Sequence, residues 1–303
     1  MNNDTHILVT GGTGFIGRNL VKTLHDGNHS VAILSRNLSS SIDIPNDVTH
    51  YAADITSRSS LPSFTEFDTV IHCAGQVSVS DSLANPVDTF EVNTFGTQNI
   101  LEKSRDGEVD NFIYISSAAV YGKPNILPMK ETSETQCLHP YASSKLAGEH
   151  LLHSYVNSYG ITGTVARCFT AYGPGQQSNN LVPEVIEQIN SGSSELTLGN
   201  LEPTRDFVHI EDICSGIKKL LGSGASDFSV YNIGSGIETS VGDIVNMIID
   251  EFDNDITIKS TSGGRSEDIE INRMVADITK LKSLGWQPCY TPKEGISQTV
   301  TEI

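Results

Sequence analysis

Positive charge is scarce in this 303-residue chain: 19 lysines and arginines stand against 37 aspartates and glutamates, for a formal net charge of −18. Nucleic-acid binding by counterion release needs a broad basic surface. The balance therefore excludes that function, and the acidity reads as solubility and repulsion of non-specific anions. Long apolar runs are absent too. No stretch approaches the roughly 18 apolar residues of a membrane span, and Met1-Asn2-Asn3-Asp4 has neither the cationic start nor the apolar segment of a secretion signal. A cytoplasmic protein with no membrane partner is expected. Cysteine is limited to Cys73, Cys137, Cys168, Cys214 and Cys289, an odd set with irregular spacing and no CxxC pair. Free or buried thiols in a reducing compartment follow, and no metal site. His209 and Glu211 offer two ligands without a third, which reads as an ordinary helix start.

What is present is an alternation. Short β-branched runs at 6–10, 30–35, 49–53, 69–73, 111–117 and 162–169 predict strands, and amphipathic stretches at 15–25, 86–104 and 141–159 predict helices between them. Ile7-Leu8-Val9 and Val31-Ala32-Ile33-Leu34 are apolar without a break, as strands covered on both faces are, so the β-α-β order implies a doubly wound parallel sheet of the α/β class. Gly27-Asn28 is placed to end the first helix, with Gly27 as the residue just past it. Beyond Gly173-Pro174-Gly175 the helices shorten and Ser, Gly and Asn clusters appear. Two domains are expected, 1–172 and a smaller C-terminal α/β domain at 173–303, with a strand at 229–234 returning to the first sheet.

Thr10-Gly11-Gly12-Thr13-Gly14-Phe15-Ile16-Gly17 follows the first strand and opens the first helix. In that setting Gly11 permits a tight turn, Gly14 lets backbone amides approach a pyrophosphate, and Gly17 lets the helix pack on the strand, with Phe15 and Ile16 at the helix N-terminus that faces the anion. The first domain is thus expected to be a Rossmann NAD(P)-binding domain, and 173–303 to bind the substrate. An NAD site usually offers a carboxylate at the end of the second strand. Here Ser35 occupies that position with Arg36 beside it. Arg36 can receive a 2′-phosphate bidentately, which favours NADP, or it is a solvated surface arginine. Asp54 can accept from the adenine amino group while Ile55 packs on the ring. A turn aspartate explains Asp54 nearly as well.

Tyr141 and Lys145 stand four apart in a predicted helix and project from one face. Of nine tyrosines, Tyr141 alone has lysine at i+4. The preceding strand ends in Ser116-Ser117, at the carboxyl edge where open α/β sheets place ligands. A phenol is a poor base at neutral pH, but a nearby ammonium and an oxidised nicotinamide favour phenolate. Lys145 supplies the charge and binds the nicotinamide ribose, Ser117 holds the substrate oxygen, and Tyr141 removes its proton. Singly, each has a plainer reading: a satisfied strand-end serine, a solvated lysine, a core aromatic.

The ordered segments TGGTGFIG at 10–17, HCAG at 72–75, NTFGTQNILE at 93–102, YISSAAVYG at 114–122, PYASSKLAGE at 140–149, RCFTAYGPGQ at 167–176, RDFVHIEDI at 205–213, YNIGSG at 231–236 and LGWQP at 284–288 resemble the extended short-chain dehydrogenase/reductases of the nucleotide-sugar epimerase/dehydratase branch, along nearly the whole chain. The resemblance implies Ser117, Tyr141 and Lys145 as the catalytic triad, Ala74 and Asn93 at the cofactor, and Thr170, Arg205 and Arg265 at a UDP- or dTDP-hexose, the two arginines on its diphosphate. Each arginine can also be read as an ion pair, Arg205 with Asp206 and Arg265 with Glu267 and Asp268. Family dehydratases carry Asp-Glu or Glu where this chain has Ala118 and Ala119. Alanine has no proton to transfer, which disfavours 4,6-dehydration. A 4-epimerase is expected first. Two departures count against it: Thr170 replaces the usual Asn, so one expected substrate amide is missing, and Ser35-Arg36 replaces the acidic NAD signature that the family leads one to expect; an NADPH-dependent 4-keto-sugar reductase, the alternative, fits Arg36 better. A silent dinucleotide sensor ranks third. The resemblance further implies a homodimer through helices near 86–104 and 141–158, with Leu151, Leu152, Tyr155 and Tyr159 as an apolar stripe that would serve equally for packing on the sheet. Because bulk charge repels the diphosphates, recognition is expected from the helix N-terminus and from Arg36, Lys145, Arg205 and Arg265, in a basic crevice.

Overall fold

The apolar runs form a seven-stranded, wholly parallel sheet in the computed structural model, which describes residues 5–37, 44–221, 227–252, 255–260 and 269–303. Its strands are β1 (His6–Thr10), β2 (Ser30–Ser35), β3 (Thr49–Ala52), β4 (Thr69–His72), β5 (Asn111–Ser117), β6 (Thr162–Cys168) and β10 (Phe228–Ile233), in the order β10-β6-β5-β4-β1-β2-β3. Strand 228–233 does return to this sheet, in register with β6 from Phe228↔Gly163 to Ile233↔Cys168. Strand order reverses between β1 and β4, so crossovers leave in opposite directions there and a crevice opens at the carboxyl ends.

Both faces are covered, as uninterrupted apolar strands require. Ile7 and Val9 pack with Leu20, Val21 and Leu24 of α1 (Phe15–His25) and Ile213 and Ile217 of α7 (Ile210–Leu220). Leu8, one residue out of phase, packs with Ile100 and Leu101 of α4 (Gly96–Asp106) and Leu152 and Val156 of α5 (Pro140–Tyr159). The predicted helix at 86–104 is interrupted: α3 (Pro86–Phe90) runs into a π-helical turn at Glu91–Phe95 before α4, and a short α2 (Val79–Ala84) precedes them. A π-turn shifts the facing of one turn of side chains, and here it carries Asn93. The end of α1 also differs in detail. The left-handed residue is Asn28, at φ 59°, whereas Gly27 caps by donating its amide to Leu24.

The later chain adds a three-stranded sheet from β7 (Thr170–Tyr172), β9 (Thr204–His209) and β11 (Glu238–Ser240), and a pair from β8 (Glu195–Leu198) and β12 (Thr257–Ser260). Helices α6 (Leu181–Asn190), α8 (Val241–Ile249) and α10 (Pro292–Glu302) pack around a third apolar cluster, and α9 (Thr279–Ser283) lies beside β10. Among the described residues no helix is long and apolar enough to cross a membrane, and no cluster of three metal-ligating side chains occurs.

One buried ion pair fastens the catalytic end of the sheet. Arg167 on β6 donates to both carboxylate oxygens of Glu149 on α5, Nη2 at 2.6 Å and Nε at 3.0 and 3.3 Å, and the Ser116 hydroxyl on β5 donates to the same carboxylate at 2.5 Å. Arg167 also donates to the Glu131 carbonyl and lies over the Tyr121 ring. Removing one partner of such a pair strands a buried charge. Arg167→Met is expected to destabilise the fold by about 3–5 kcal/mol in urea unfolding, whereas replacing Arg167 and Glu149 together by apolar residues of similar volume costs far less.

Candidate active site

The glycine loop closes on the reversal point. The Gly11 amide donates to the Leu34 carbonyl at 2.7 Å, and at φ 68° a Cβ here would lie 2.7 Å from the Ala74 Cα and amide nitrogen. Gly14 is the cap residue of α1, in extended conformation. A Cβ at Gly17 would overlap the Gly11 carbonyl oxygen. No side chain caps α1, and its first turn carries no acidic residue. Its free amides therefore face a cleft of about 510 Å³ lined by Gly11, Gly14, Ser35, Arg36, Ala74 and Gln177 among others. These features fit a dinucleotide pyrophosphate. The side chains of Phe15 and Ile16 are half-buried and pack against the core cluster under the helix.

At the adenosine end, Ser35 is held by His50, Oγ to Nε2 at 2.9 Å, and donates to the Asn37 carbonyl. Arg36 is exposed at the cleft and forms no ion pair with the described residues. Asp54 is a turn aspartate as well as a lining residue: its Oδ1 accepts the Thr56 amide and hydroxyl, both at 2.9 Å. The Thr56 amide, then the Thr56 hydroxyl and the Arg36 guanidinium, hold this carboxyl below the usual range. Ile55 is buried against the Gly96 end of α4 and lines the cleft. Among the lining residues only Arg36 and Asp54 carry charge. The expected basic crevice is thus mainly a crevice of backbone amides.

Ser117, Tyr141 and Lys145 converge behind Gly75. Ser117 ends β5 and accepts the Ala119 amide at 3.2 Å, which starts a short 3-10 turn at Ala118–Tyr121. Burial pushes the Tyr141 phenol up, and a hydrogen bond from Ser117 works against that. The net shift is upward, and Lys145 is not among the groups that move this phenol. The Lys145 ammonium instead donates to the Ile115 carbonyl at 2.8 Å, lies 5.0 Å over the Tyr114 ring, and sits 3.4 Å from where a Cβ on Gly75 would be. Burial pulls its pKa down to about 8, opposed by the neighbouring Cys73, Cys168 and Glu149. Cys73 and Cys168 are themselves pushed up to about 12 by burial, so both remain thiols.

Asn93 lies beside this group, but its amide is engaged: Nδ2 donates to the Gln76 carbonyl and Ser144 hydroxyl, each at 2.9 Å, and Oδ1 accepts the Gln76 amide at 2.7 Å. It shapes the loop that lines the cleft. Thr170 starts β7, opposite Phe207. Arg205 pairs with Glu270 at 2.9 Å, not with Asp206. Asp206 is buried and collects the Ser235 amide and hydroxyl and the Gly236 and Ala276 amides, so it has no use for the guanidinium. Arg265, with Glu267 and Asp268, lies outside the described residues. His209 is buried, with both ring nitrogens lacking a hydrogen-bond partner.

Sequence reasoning missed several neighbours. His139 caps α5 by accepting the Ala142 amide, and its ring stacks on Tyr141 at 6.0 Å. His-Pro directly before the tyrosine, a capping residue followed by Pro at the first helical position, was the signal for it. Glu270 is 65 residues from Arg205 and left no local trace. Arg273 and Glu238, paired through two bonds of 2.6 Å, lie next to Arg205 across the β9–β11 ladder and were equally silent. Arg18 reaches from α1 to the Gly175 carbonyl and so ties the Gln177 loop to the glycine loop.

Comparison with known proteins points to one family. The sequence model of the NAD dependent epimerase/dehydratase family matches residues 7–234. A Methanocaldococcus jannaschii protein that bears the provisional name UDP-glucose 4-epimerase is 34% identical over 97% of each chain. The GDP-6-deoxy-D-mannose reductase of Pseudomonas aeruginosa is 30% identical over 98% of this chain and 96% of its own. The crystal structure of Thermus thermophilus UDP-glucose 4-epimerase with NAD superposes with a TM-score of 0.89 at 29% identity, over 98% of both chains.

Lys145 predicts a conflict between site and stability. A lysine whose pKa falls to about 8 on folding binds fewer protons in the folded chain than in the unfolded one between that value and its usual 10.5, so its burial weakens the fold at neutral pH and the weakening fades as pH rises through that window. Lys145→Met is expected to raise the urea midpoint at neutral pH, a gain in unfolding free energy of up to about 3 kcal/mol, and to lose that advantage near the unfolded pKa. An unchanged midpoint at neutral pH would refute it.

Proposed function

Because the chain belongs to the NAD dependent epimerase/dehydratase family, we propose that it is a nucleotide-sugar 4-epimerase of the UDP-hexose type. The observation that carries this reading is the hydroxyl pair of Ser117 and Tyr141 at the carboxyl edge of β5, beside the glycine cleft, with alanines at 118 and 119 where an eliminating enzyme needs a carboxylate. A dinucleotide would supply the hydride acceptor and donor for the sugar C4. The amides of α1 and Gly11, Gly14 and Gly17 would hold its pyrophosphate, Lys145 its nicotinamide ribose, and Arg36, Asp54, Ile55 and Ala74 its adenosine half. Tyr141 Oη takes the proton of the C4 hydroxyl and returns it after the sugar has turned, while Ser117 orients the same oxygen. The phenol that burial keeps protonated becomes a base when a positive charge enters the cleft, so acid-base chemistry is confined to the loaded enzyme. Residues 173–303 contribute Thr170's neighbouring loop, Arg205 and Arg265 to the nucleotide-sugar. Arg205 must exchange Glu270 for the diphosphate or share itself between them.

A second reading is favoured by Ser35 and Arg36. A small hydroxyl in place of a carboxylate, and beside it a guanidinium without an ion pair among the described residues, suit a 2′-phosphate, hence NADP and a 4-keto-sugar reductase. One experiment separates the two. Incubating the purified protein with UDP-galactose and no added cofactor is expected to give UDP-glucose by NMR, and the nucleotide released on denaturation identifies NAD or NADP. Failure to interconvert any UDP- or dTDP-hexose, together with NADPH oxidation by a 4-keto sugar, transfers the assignment to the reductase.

The homodimer rests on different residues from those first expected. Leu152 and Tyr155 are buried under the sheet, whereas Leu83, Val87 and Phe95 are exposed apolar side chains at 46%, 75% and 60% exposure, and Tyr159 is exposed at the end of α5 under the Arg105 guanidinium. Val87, Phe90 and Phe95 line a groove of about 550 Å³ suited to a second copy. In sedimentation velocity the chain is expected to run as a dimer and Val87→Asp as a monomer; a monomeric unmodified chain overturns the assignment. Catalysis in the cytoplasm completes the reading.

A further inference from the structure

Behind the cleft, Thr10, His72, Thr97, Asn93 and Ser144 are all buried and joined by hydrogen bonds. Following the donors fixes their directions. The Asn93 carbonyl can only accept, so Thr97 Oγ1 donates to it at 2.6 Å. That leaves Thr97 Oγ1 an acceptor toward His72 Nε2 at 3.0 Å, and Nε2 must carry the hydrogen. At the other ring nitrogen, Thr10 Oγ1 lies 2.6 Å from Nδ1 and accepts the Ala74 amide at 3.3 Å, so its own hydrogen points to Nδ1. Beyond Asn93, its Nδ2 donates to Ser144 Oγ at 2.9 Å, and Ser144 donates to the Tyr141 carbonyl at 2.8 Å. Every donor points the same way, from the Ala74 amide to the Tyr141 carbonyl.

We propose that His72 is a positioning residue: a neutral imidazole held as the Nε2–H tautomer, which ties the Ala74 loop at the cofactor cleft to the first turn of the helix that carries Tyr141. The proposal rests on the reading of that cleft as the dinucleotide site. The chemistry singles out histidine. The linker must be apolar enough to stack on Tyr114 at 5.8 Å inside the sheet, and it must offer one donor and one acceptor on opposite sides. Burial and the nearby Lys145 ammonium pull its pKa down to about 3, so the ring stays neutral with one donor and one acceptor at any working pH. Loss of any single bond would leave a buried group without a partner and free the loop that Gly11 touches.

Two measurements test it. Two-bond ¹⁵N–¹H NMR of the full chain with labelled histidine, the resonance assigned by its loss in His72→Asn, is expected to show hydrogen on Nε2 and a bare Nδ1. An Nδ1–H tautomer or an imidazolium overturns the proposal. In fluorescence titration with NAD and with NADP, Thr10→Val is expected to weaken the tighter nucleotide by roughly tenfold or more, while Thr10→Ser, which restores the hydroxyl, stays within roughly threefold of the unmodified chain. Equal affinity for Thr10→Val and the unmodified chain also overturns it. If the unmodified chain binds neither nucleotide, the reading of the cleft fails, and the His72 tautomer alone then decides the linkage.

Discussion

The approach of two backbones at the fork between β1 and β4 governs the catalytic end of this molecule. Gly11 touches the Ala74 Cα and amide with no room for a methyl group, and this contact brings the loop after β4 under the loop after β1. Gly17 against the Gly11 carbonyl then seats α1 so that its free amides point into the fork. A substituent at either glycine would push the loops apart or tip the helix. The cleft, the position of Gly75 and therefore the place where Lys145 emerges all follow from those contacts. Strand order makes the fork, and the glycines keep it narrow.

The buried charges divide into those that hold the fold and one that burdens it. Glu149 and Arg167 satisfy each other through three bonds, with Ser116 adding a fourth to the carboxylate. Asp206 collects four donors from two chain segments, 235–236 and 276, and fastens β9 to the start of the loop after β10. Lys145 has one carbonyl, an aromatic face and no carboxylate partner. A structural ammonium would be paired or solvated. This one is held dry beside Gly75, at a cost to the fold.

Much of this was legible because it is local. The six leading strands and α1 follow from β-branched runs and apolar spacing, with boundaries that differ by a residue at Ala53, Cys73 and Phe169. Tyr141 and Lys145 meet because four residues make about one helical turn. What escaped is non-local or depends on facing. Leu152 and Tyr155 looked equally able to serve an outer stripe, and only their phase against β5 and β6 buries them. The π-turn at Glu91–Phe95 has no compositional signal, since it answers to Gln76 and Ser144, 17 and 51 residues from Asn93. Glu270 reaches Arg205 by the same kind of tertiary accident of spacing, which a single sequence does not display.

The net charge of −18 bears on the site through the placement of acids more than through their number. Acidic residues favour the first turn of helices, where they meet the positive end of the dipole, and this chain uses that position freely: Asp81, Asp88, Glu184, Glu211 with Asp212, Asp243 and Glu294 occupy first turns of α2, α3, α6, α7, α8 and α10. Among the helices that do not follow suit, which include α4 and α9, are the two that carry the glycine-loop amides and Tyr141. Neither α1 nor α5 has an acid in its first turn; α1 starts on a glycine and α5 on His139-Pro140. A carboxylate at either place would satisfy the amides that an anionic ligand needs, and would repel that ligand from within the low-dielectric cleft, where screening is weakest. The general surface can therefore be strongly acidic while the fork stays receptive, because attraction there comes from oriented amides over a few ångströms. A distant acidic residue is screened beyond about 10 Å, so the selectivity of the cleft for anions requires only that the acids be kept out of those two turns.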